Sequence, residues 1–117
     1  RTIQVLDMAG IPILGGMRQA CLKFTTQGGT PRIYSNAGFK DSFTRSEAGV
    51  YKFTISRPVN PEKAIVQVSV EGSSTTMFIG NYGVNDLGDL FTVRIFDSSQ
   101  TLSEDFAEFS LQVAEVL

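Results

Sequence analysis

One stretch constrains the fold more than any other: Thr44 to Pro58, Thr-Arg-Ser-Glu-Ala-Gly-Val-Tyr-Lys-Phe-Thr-Ile-Ser-Arg-Pro. From position 51 onward, Tyr51, Phe53 and Ile55 alternate with Lys52, Thr54 and Ser56. A period of two in β-forming residues is the pattern of a strand with one buried face. Phe39 to Arg45 runs up to Ser46–Gly49, and Val50 to Ser56 runs back. A hairpin is therefore expected, with Gly49 supplying the positive φ that a loop of roughly three to five residues needs. Pro58 has no amide hydrogen to give a ladder and ends the strand.

Similar runs recur on both sides. Gln19 to Thr26 sets Ala20, Leu22 and Phe24 against Cys21, Lys23 and Thr25, and closes in the turn Gln27–Pro31. Arg32 to Asn36 reads as a short strand, and Val59 to Lys63 as a connection stiffened by Pro61. Ala64 to Glu71 places Val66, Val68 and Val70 on one face. Thr76 to Asn81 carries Met77, Phe78 and Ile79 in succession, which makes both of its faces partly apolar. Gly80 to Asp89 reads as the longest polar loop. Leu90 to Asp97 aligns Phe91 and Val93 with Ile95, and leaves Leu90 and Phe96 on the opposite side. Phe106 to Leu117 ends with Phe109, Leu111, Val113 and Glu115 in alternation. Ser103 before Glu104 and Asp105 resembles a helix N-cap, so a short helical turn at 103–107 is a further expectation. The whole predicts an all-β fold: a compact antiparallel β-sandwich, jelly-roll-like, of about seven to nine short strands. Its core is expected to hold Phe24, Tyr51, Phe53, Val66, Val68, Phe91, Val93, Phe109 and Leu111.

Residues 1–17 do not fit this pattern. Ile3, Val5, Leu6, Met8, Ile11, Ile13 and Leu14 are too apolar for a free tail, yet Gly10, Pro12, Gly15 and Gly16 interrupt any helix or long strand. They predict an irregular apolar arm at 1–17 ahead of a sandwich domain at 18–117. The arm either covers one end of the core or packs on a neighbouring subunit or larger assembly.

Composition narrows the function classes. A chain of 117 residues is one domain, large enough to form a core without disulfides or metals. Ten scattered Lys and Arg against a net charge of −2 form no basic stripe, so nucleic acid is not an expected partner. No apolar run approaches a membrane span and no secretory pattern opens the sequence, so no membrane partner is expected. There is no His, which removes Ser-His and Cys-His nucleophile pairs and most zinc sites. The lone Cys21 excludes an intrachain disulfide and fits a reducing compartment. It reads as a half-buried structural thiol, since no base stands ready to activate it.

Three further features resemble sites. Asn81, Tyr82, Asn85, Asp86 and Asp89 line the polar loop, and all but Tyr82 offer oxygen ligands that calcium accepts, but they lack the order and closing Glu of a calcium loop. They read as turn residues and as an outward-facing loop. Glu104, Asp105 and Glu108 could form a carboxylate pair for glycoside hydrolysis, but read as a solvated end. Gly15–Gly16 and Gly28–Gly29 open no helix after a strand and are not phosphate loops. The expectation is a non-enzymatic protein without metal or cofactor.

The order of elements resembles a β-sandwich module of tailed bacteriophages, of the cyanophage and marine-phage type, found in tail fibres, tail-spike tips and small virion surface proteins. The resemblance runs through Leu22-Lys23-Phe24, Gly29-Thr30, Ile33-Tyr34, Phe43 to Ser46, Gly49-Val50-Tyr51, Phe53-Thr54 and Pro58. It continues through Ala64 to Val70, Phe91 to Arg94 and Asp97 to Ser99. No single motif carries it. It implies a sandwich that commonly forms a homotrimer and works without catalysis. It also implies a virion location after assembly in the host cytoplasm. These residues include no fibre shaft, which tilts the expectation to a capsid decoration (cement) or head-knob protein docked on the major capsid protein or another virion protein. The alternative is a tail-fibre adhesin that binds a host-surface glycan. Assembly contacts are expected from Ile3, Val5, Leu6, Met8, Ile11, Ile13 and Leu14 of the arm, with Met77, Ile79, Leu90 and Phe96 from the strands. The loops Gln27–Pro31 and Asn81–Asp89 are expected to point outward together.

Overall fold

The structure is a computed structural model that describes residues 5–6, 12–14, 17–28, 30–72 and 77–116. Among them, ten strands run in the order β1 (Val5–Leu6), β2 (Pro12–Leu14), β3 (Met17–Thr25), β4 (Arg32–Ala37), β5 (Phe39–Glu47), β6 (Val50–Ile55), β7 (Ala64–Gly72), β8 (Ile79–Val84), β9 (Leu90–Phe96) and β10 (Phe106–Val116). Eight of them, β3 to β10, build an antiparallel sandwich. One sheet has the order β4-β3-β10-β7 and the other β5-β6-β9-β8. The all-β sandwich expected from period-two patterning is the observed fold. The strand order is new information, because alternation says which face of a strand is buried and not which strand lies beside it.

The hairpin read from Thr44 to Pro58 is β5–β6. Its turn is tighter than expected, since Glu47 pairs with Val50 and only Ala48 and Gly49 lie between them. Gly49 has φ +86°, and a Cβ there would fall 2.8 Å from the Ser103 carbonyl oxygen and 3.1 Å from that of Ile95. The turn is therefore pressed against the end of β9, where the Ile95 N–H donates to the Gly49 oxygen at 2.9 Å. Gly49 is required both for its conformation and for this close approach.

Phe24 is the hub of the core. It lies 4.5 Å from Tyr51, 4.9 Å from Phe43, 5.1 Å from Phe109 and 5.7 Å from Phe53, centroid to centroid. Such ring pairs add about 0.5–1.5 kcal/mol each beyond the area they bury. Phe91, Val93, Ile95, Leu22 and Leu111 complete a fully buried layer between the sheets. Val66 and Val68 were expected in this layer and are only half-buried. They point inward, but β7 is the outer strand of its sheet, and water reaches them from the side.

One expectation is corrected near the C-terminus. Residues 103–107 form no helix. The Asp105 N–H does donate to Ser103 Oγ at 3.2 Å, as an N-cap would accept, but β10 starts at Phe106. A register shift between Phe106 and Glu108 then lets both Phe106 and Phe109 turn inward. Carbonyls of the bulge are taken up by threonine hydroxyls: Thr25 Oγ1 donates to Ala107 O at 3.0 Å, and Thr26 Oγ1 to Phe106 O.

The arm is also less irregular than its glycines suggested. β1 pairs with β2, and β2 pairs with the start of β3 through Ile13↔Arg18 and Leu14↔Met17. Pro12 is tolerated because it is the first residue of its strand. The segment extends a sheet edge by backbone pairing. Ile3, Met8, Gly10, Ile11, Gly15 and Gly16 lie outside the described residues.

Candidate interaction surface

The residues singled out from the strands separate into two places. In the β8–β9 ladder Ile79 pairs with Phe96, Asn81 with Arg94 and Gly83 with Thr92. Phe91, Val93 and Ile95 are buried, so this alternate set lies on the outer face. Ile79 and Met77 are 65% and 77% exposed, and Phe96 beside Ile79 is half-buried, bridged on its other side to Leu102. Leu90 shares that face but lies six residues along the strand, opposite Thr54. Of the four side chains expected to make assembly contacts, Ile79 and Phe96 are therefore neighbours, Met77 is exposed two residues before Ile79, and Leu90 lies apart.

The polar loop is shorter than the sequence suggested. Asn81 and Tyr82 belong to β8, and only Asn85–Asp89 connects it to β9. Alternation was masked there because Gly80 takes a core-facing position that an apolar residue would hold, and Gly83 leaves the outer face without a polar side chain. Gly80 faces the other sheet, and a Cβ on it would lie 2.4 Å from Val68 Cγ1. Within the loop the Asn85 side chain is fully engaged. Its Oδ1 accepts from the Asp89 and Leu90 N–H groups at 3.0 and 3.1 Å, while Nδ2 donates to Asp89 Oδ1 at 2.6 Å. Asn85 and Asp89 thus hold the turn itself, and Asp86 and Leu87 stand exposed at its tip, Leu87 by 75%.

The two loops expected to point outward together lie at opposite ends of the sandwich. Thr26, which leads into Gln27, binds the first residues of β10. The other loop binds the Val59 N–H through Gly88 O at 3.0 Å. The neighbouring Asn60 N–H donates to the buried carboxylate of Glu115, near the end of β10. Glu115 pairs with Arg18, so the arm strands and the Asn85–Asp89 loop share one end. The end that carries Gln27, Thr30 and the Asp97–Gln100 turn is the far one.

Two ionisable clusters and two shallow depressions complete the surface. Arg45 donates from Nε and NH2 to the two carboxylate oxygens of Glu104 at 2.8 and 2.9 Å, and the Tyr51 hydroxyl donates to the same carboxylate. The guanidinium holds Glu104 below the ordinary carboxylate range, while burial first and the Glu104 bond second push the Tyr51 phenol up. This clamp ties the hairpin to the segment before β10 and is structural. On the outer face of the other sheet, Tyr34 is 46% exposed and donates to Glu108, a bond that pushes its phenol up to about 12. A shallow depression of about 210 Å³ beside it is lined by Lys23, Ser69, Glu71, Glu108 and Ser110. A second, of about 380 Å³, holds Cys21 among Gln19, Ala37, Ile65, Gln67 and Gln112. No group of three or more acidic or Cys side chains within reach of one metal ion occurs among the described residues.

Compared with known protein families, with curated proteins and with solved structures, the chain has no match in any of the three. The functional reading therefore rests on the surface just described and on the sequence pattern. Leu87 and the edge position of β8 escaped that pattern. An exposed leucine in a polar loop carries no period, and edge position is a property of topology.

Proposed function

We propose that this chain is a non-enzymatic structural protein of a bacteriophage virion surface, a capsid decoration or head-knob protein that acts by docking. One observation carries the docking reading. Met77, Leu87 and Ile79 are large apolar side chains left 77%, 75% and 65% exposed, two of them in or beside one strand of a sandwich whose core is otherwise closed. Large apolar side chains left this exposed mark contact surfaces. The resemblance in the order of elements from Leu22 to Ser99 supplies the virion setting. In this reading the arm end, with Leu87 at the tip of the Asn85–Asp89 loop, seats on the shell, while Met77 and Ile79, toward the end that carries Gln27, Thr30 and Asp97–Gln100, meet a neighbouring subunit.

Co-sedimentation with undecorated capsids of the encoding phage tests this. The intact protein should bind saturably, and deletion of residues 1–14 should leave a folded sandwich that no longer pellets with capsids. Binding to host cells with indifference to capsids would overturn the decoration role in favour of an adhesin. The exposed Tyr34 ring beside Lys23, Glu71 and Glu108 favours that second reading, because an aromatic platform edged by polar groups suits a sugar.

A further inference from the structure

Among the described residues β8 is the outer strand of its sheet, bonded only to β9. The bonds around β9 settle which backbone groups face the open side. Ile95 N–H donates to Gly49 O, toward β6, and Asn85 N–H donates to Leu90 O, from the β8 side. Alternate residues of an antiparallel strand turn both backbone groups to the same neighbour. Ile79, Asn81 and Gly83 therefore bond β9, and the N–H and C=O of Gly80, Tyr82 and Val84 face outward. These groups have no hydrogen-bond partner among the described residues.

Open edges are ordinarily blunted by charge, proline or a bulge. The opposite edge of the same sheet is so protected: β5 carries Lys40, Asp41, Arg45 and Glu47, and its register shifts twice. β8 has none of these devices. No charged residue occurs from Met77 to Asn85, and the β8 register is unbroken from Ile79 to Val84.

A row of outward backbone groups repeating every second residue is complementary to another extended strand. We propose that β8 pairs antiparallel with β8 of a second copy, centred on Tyr82, to make one continuous sheet across a two-fold axis. The register follows from the backbone. Gly80, Tyr82 and Val84 must meet the same three residues of the partner, and centring on Tyr82 sets Gly80 opposite Val84 and leaves none unpaired. That choice uses no side chain, yet it also brings Met77 of one copy toward Leu87 of the other. These are the two most exposed large apolar side chains among the described residues, at 77% and 75%. A second copy is thus the occupant whose backbone, apolar side chains and lack of charge all complement this edge, and a two-fold pairing closes on itself.

Sedimentation velocity of the intact chain across roughly 1–200 µM tests the proposal. A dimer is expected. Val84→Pro removes an outward N–H while sparing the ladder to β9, and should give a monomer with an unchanged circular-dichroism spectrum. Met77→Glu and Leu87→Lys alter exposed side chains and leave the fold intact, and each should weaken the dimer about tenfold. Their combination in one chain should recover most of the loss, because the new carboxylate and ammonium meet only across the two-fold. Met77 and Leu87 of one chain flank opposite ends of β8 and cannot compensate each other within it. A monomer throughout the range, a trimer, a dimer indifferent to Val84→Pro, or no recovery in the double variant would each overturn the pairing.

Discussion

Substituting Gly88 by alanine tests the packing of the β8–β9 loop. Gly88 is buried with φ +71°, and a Cβ there would fall 1.8 Å from the Val59 carbonyl oxygen and 3.3 Å from Pro61 Cδ. The obstruction is backbone, so no side chain can swing aside. An L-residue in this conformation costs about 1–2 kcal/mol. Relief of the overlap must move the loop away and lose the 3.0 Å bond from the Val59 N–H to Gly88 O, a further ~1 kcal/mol. Val59, 5% exposed, would lose part of its packing as well. The expected loss is roughly 2–4 kcal/mol, or a melting temperature lower by about 8–16 °C in a domain of this size. Gly83→Ala is the control. A Cβ there meets only the end of Arg94, at 3.7 Å, and the change should be within about 0.5 kcal/mol of neutral. Urea denaturation followed by far-ultraviolet circular dichroism measures both. A Gly88→Ala protein as stable as the parent would refute the reasoning.

Other expectations follow from the core, the clamp and the loop. Phe53→Ala should cost about 3–5 kcal/mol by equilibrium unfolding, because Phe53 is fully buried against Phe24 and Phe109; a cost below about 1 kcal/mol would contradict its place in the core. Tyr51 is held protonated by burial and by Glu104, so its contribution should be complete below about pH 10 and fall away as pH rises through its folded value. Tyr51→Phe should flatten that alkaline limb of a melting-temperature profile. Glu104 has the opposite sign: its folded value lies low, so its contribution is present above about pH 4.3 and is lost as pH falls further, and Arg45→Met should remove part of that acid sensitivity. Millimolar calcium should leave the melting temperature unchanged, since Asn85 and Asp89 are bound to each other and to the loop backbone; a rise reversed by chelator would make the loop a site.

The sandwich was legible where one strand face is buried and the other wet. Tyr51, Phe53, Phe91, Val93, Phe109 and Leu111 announce themselves by period and are all buried. Legibility failed where a second rule displaced the period. The bulge after Phe106 breaks the alternation of β10, so Phe106 could not be read as core although it is 1% exposed. Ser103 capping was visible, but the pull of two phenylalanines into the core outweighed a helical turn of marginal stability. In β8, glycine at positions 80 and 83 erased the alternation altogether.

The same glycines explain why the interaction surface was half visible. Met77 and Ile79 stood out because apolar residues on both faces of a segment have too little core to satisfy them. What covers them depended on the neighbours of β8, and strand order is not written in local pattern. Once β8 is known to be an edge, its composition changes meaning. Gly80 lets the strand lie close against Val68 and Val70 of the other sheet. The absence of Lys, Glu and Pro, unremarkable in a loop, becomes an absence of protection on an open ladder. A substitution that merely adds charge there, such as Asn81→Lys, should therefore change association without changing stability. Gly80→Val should do the reverse, destabilising the sandwich first by forcing β8 away from β7.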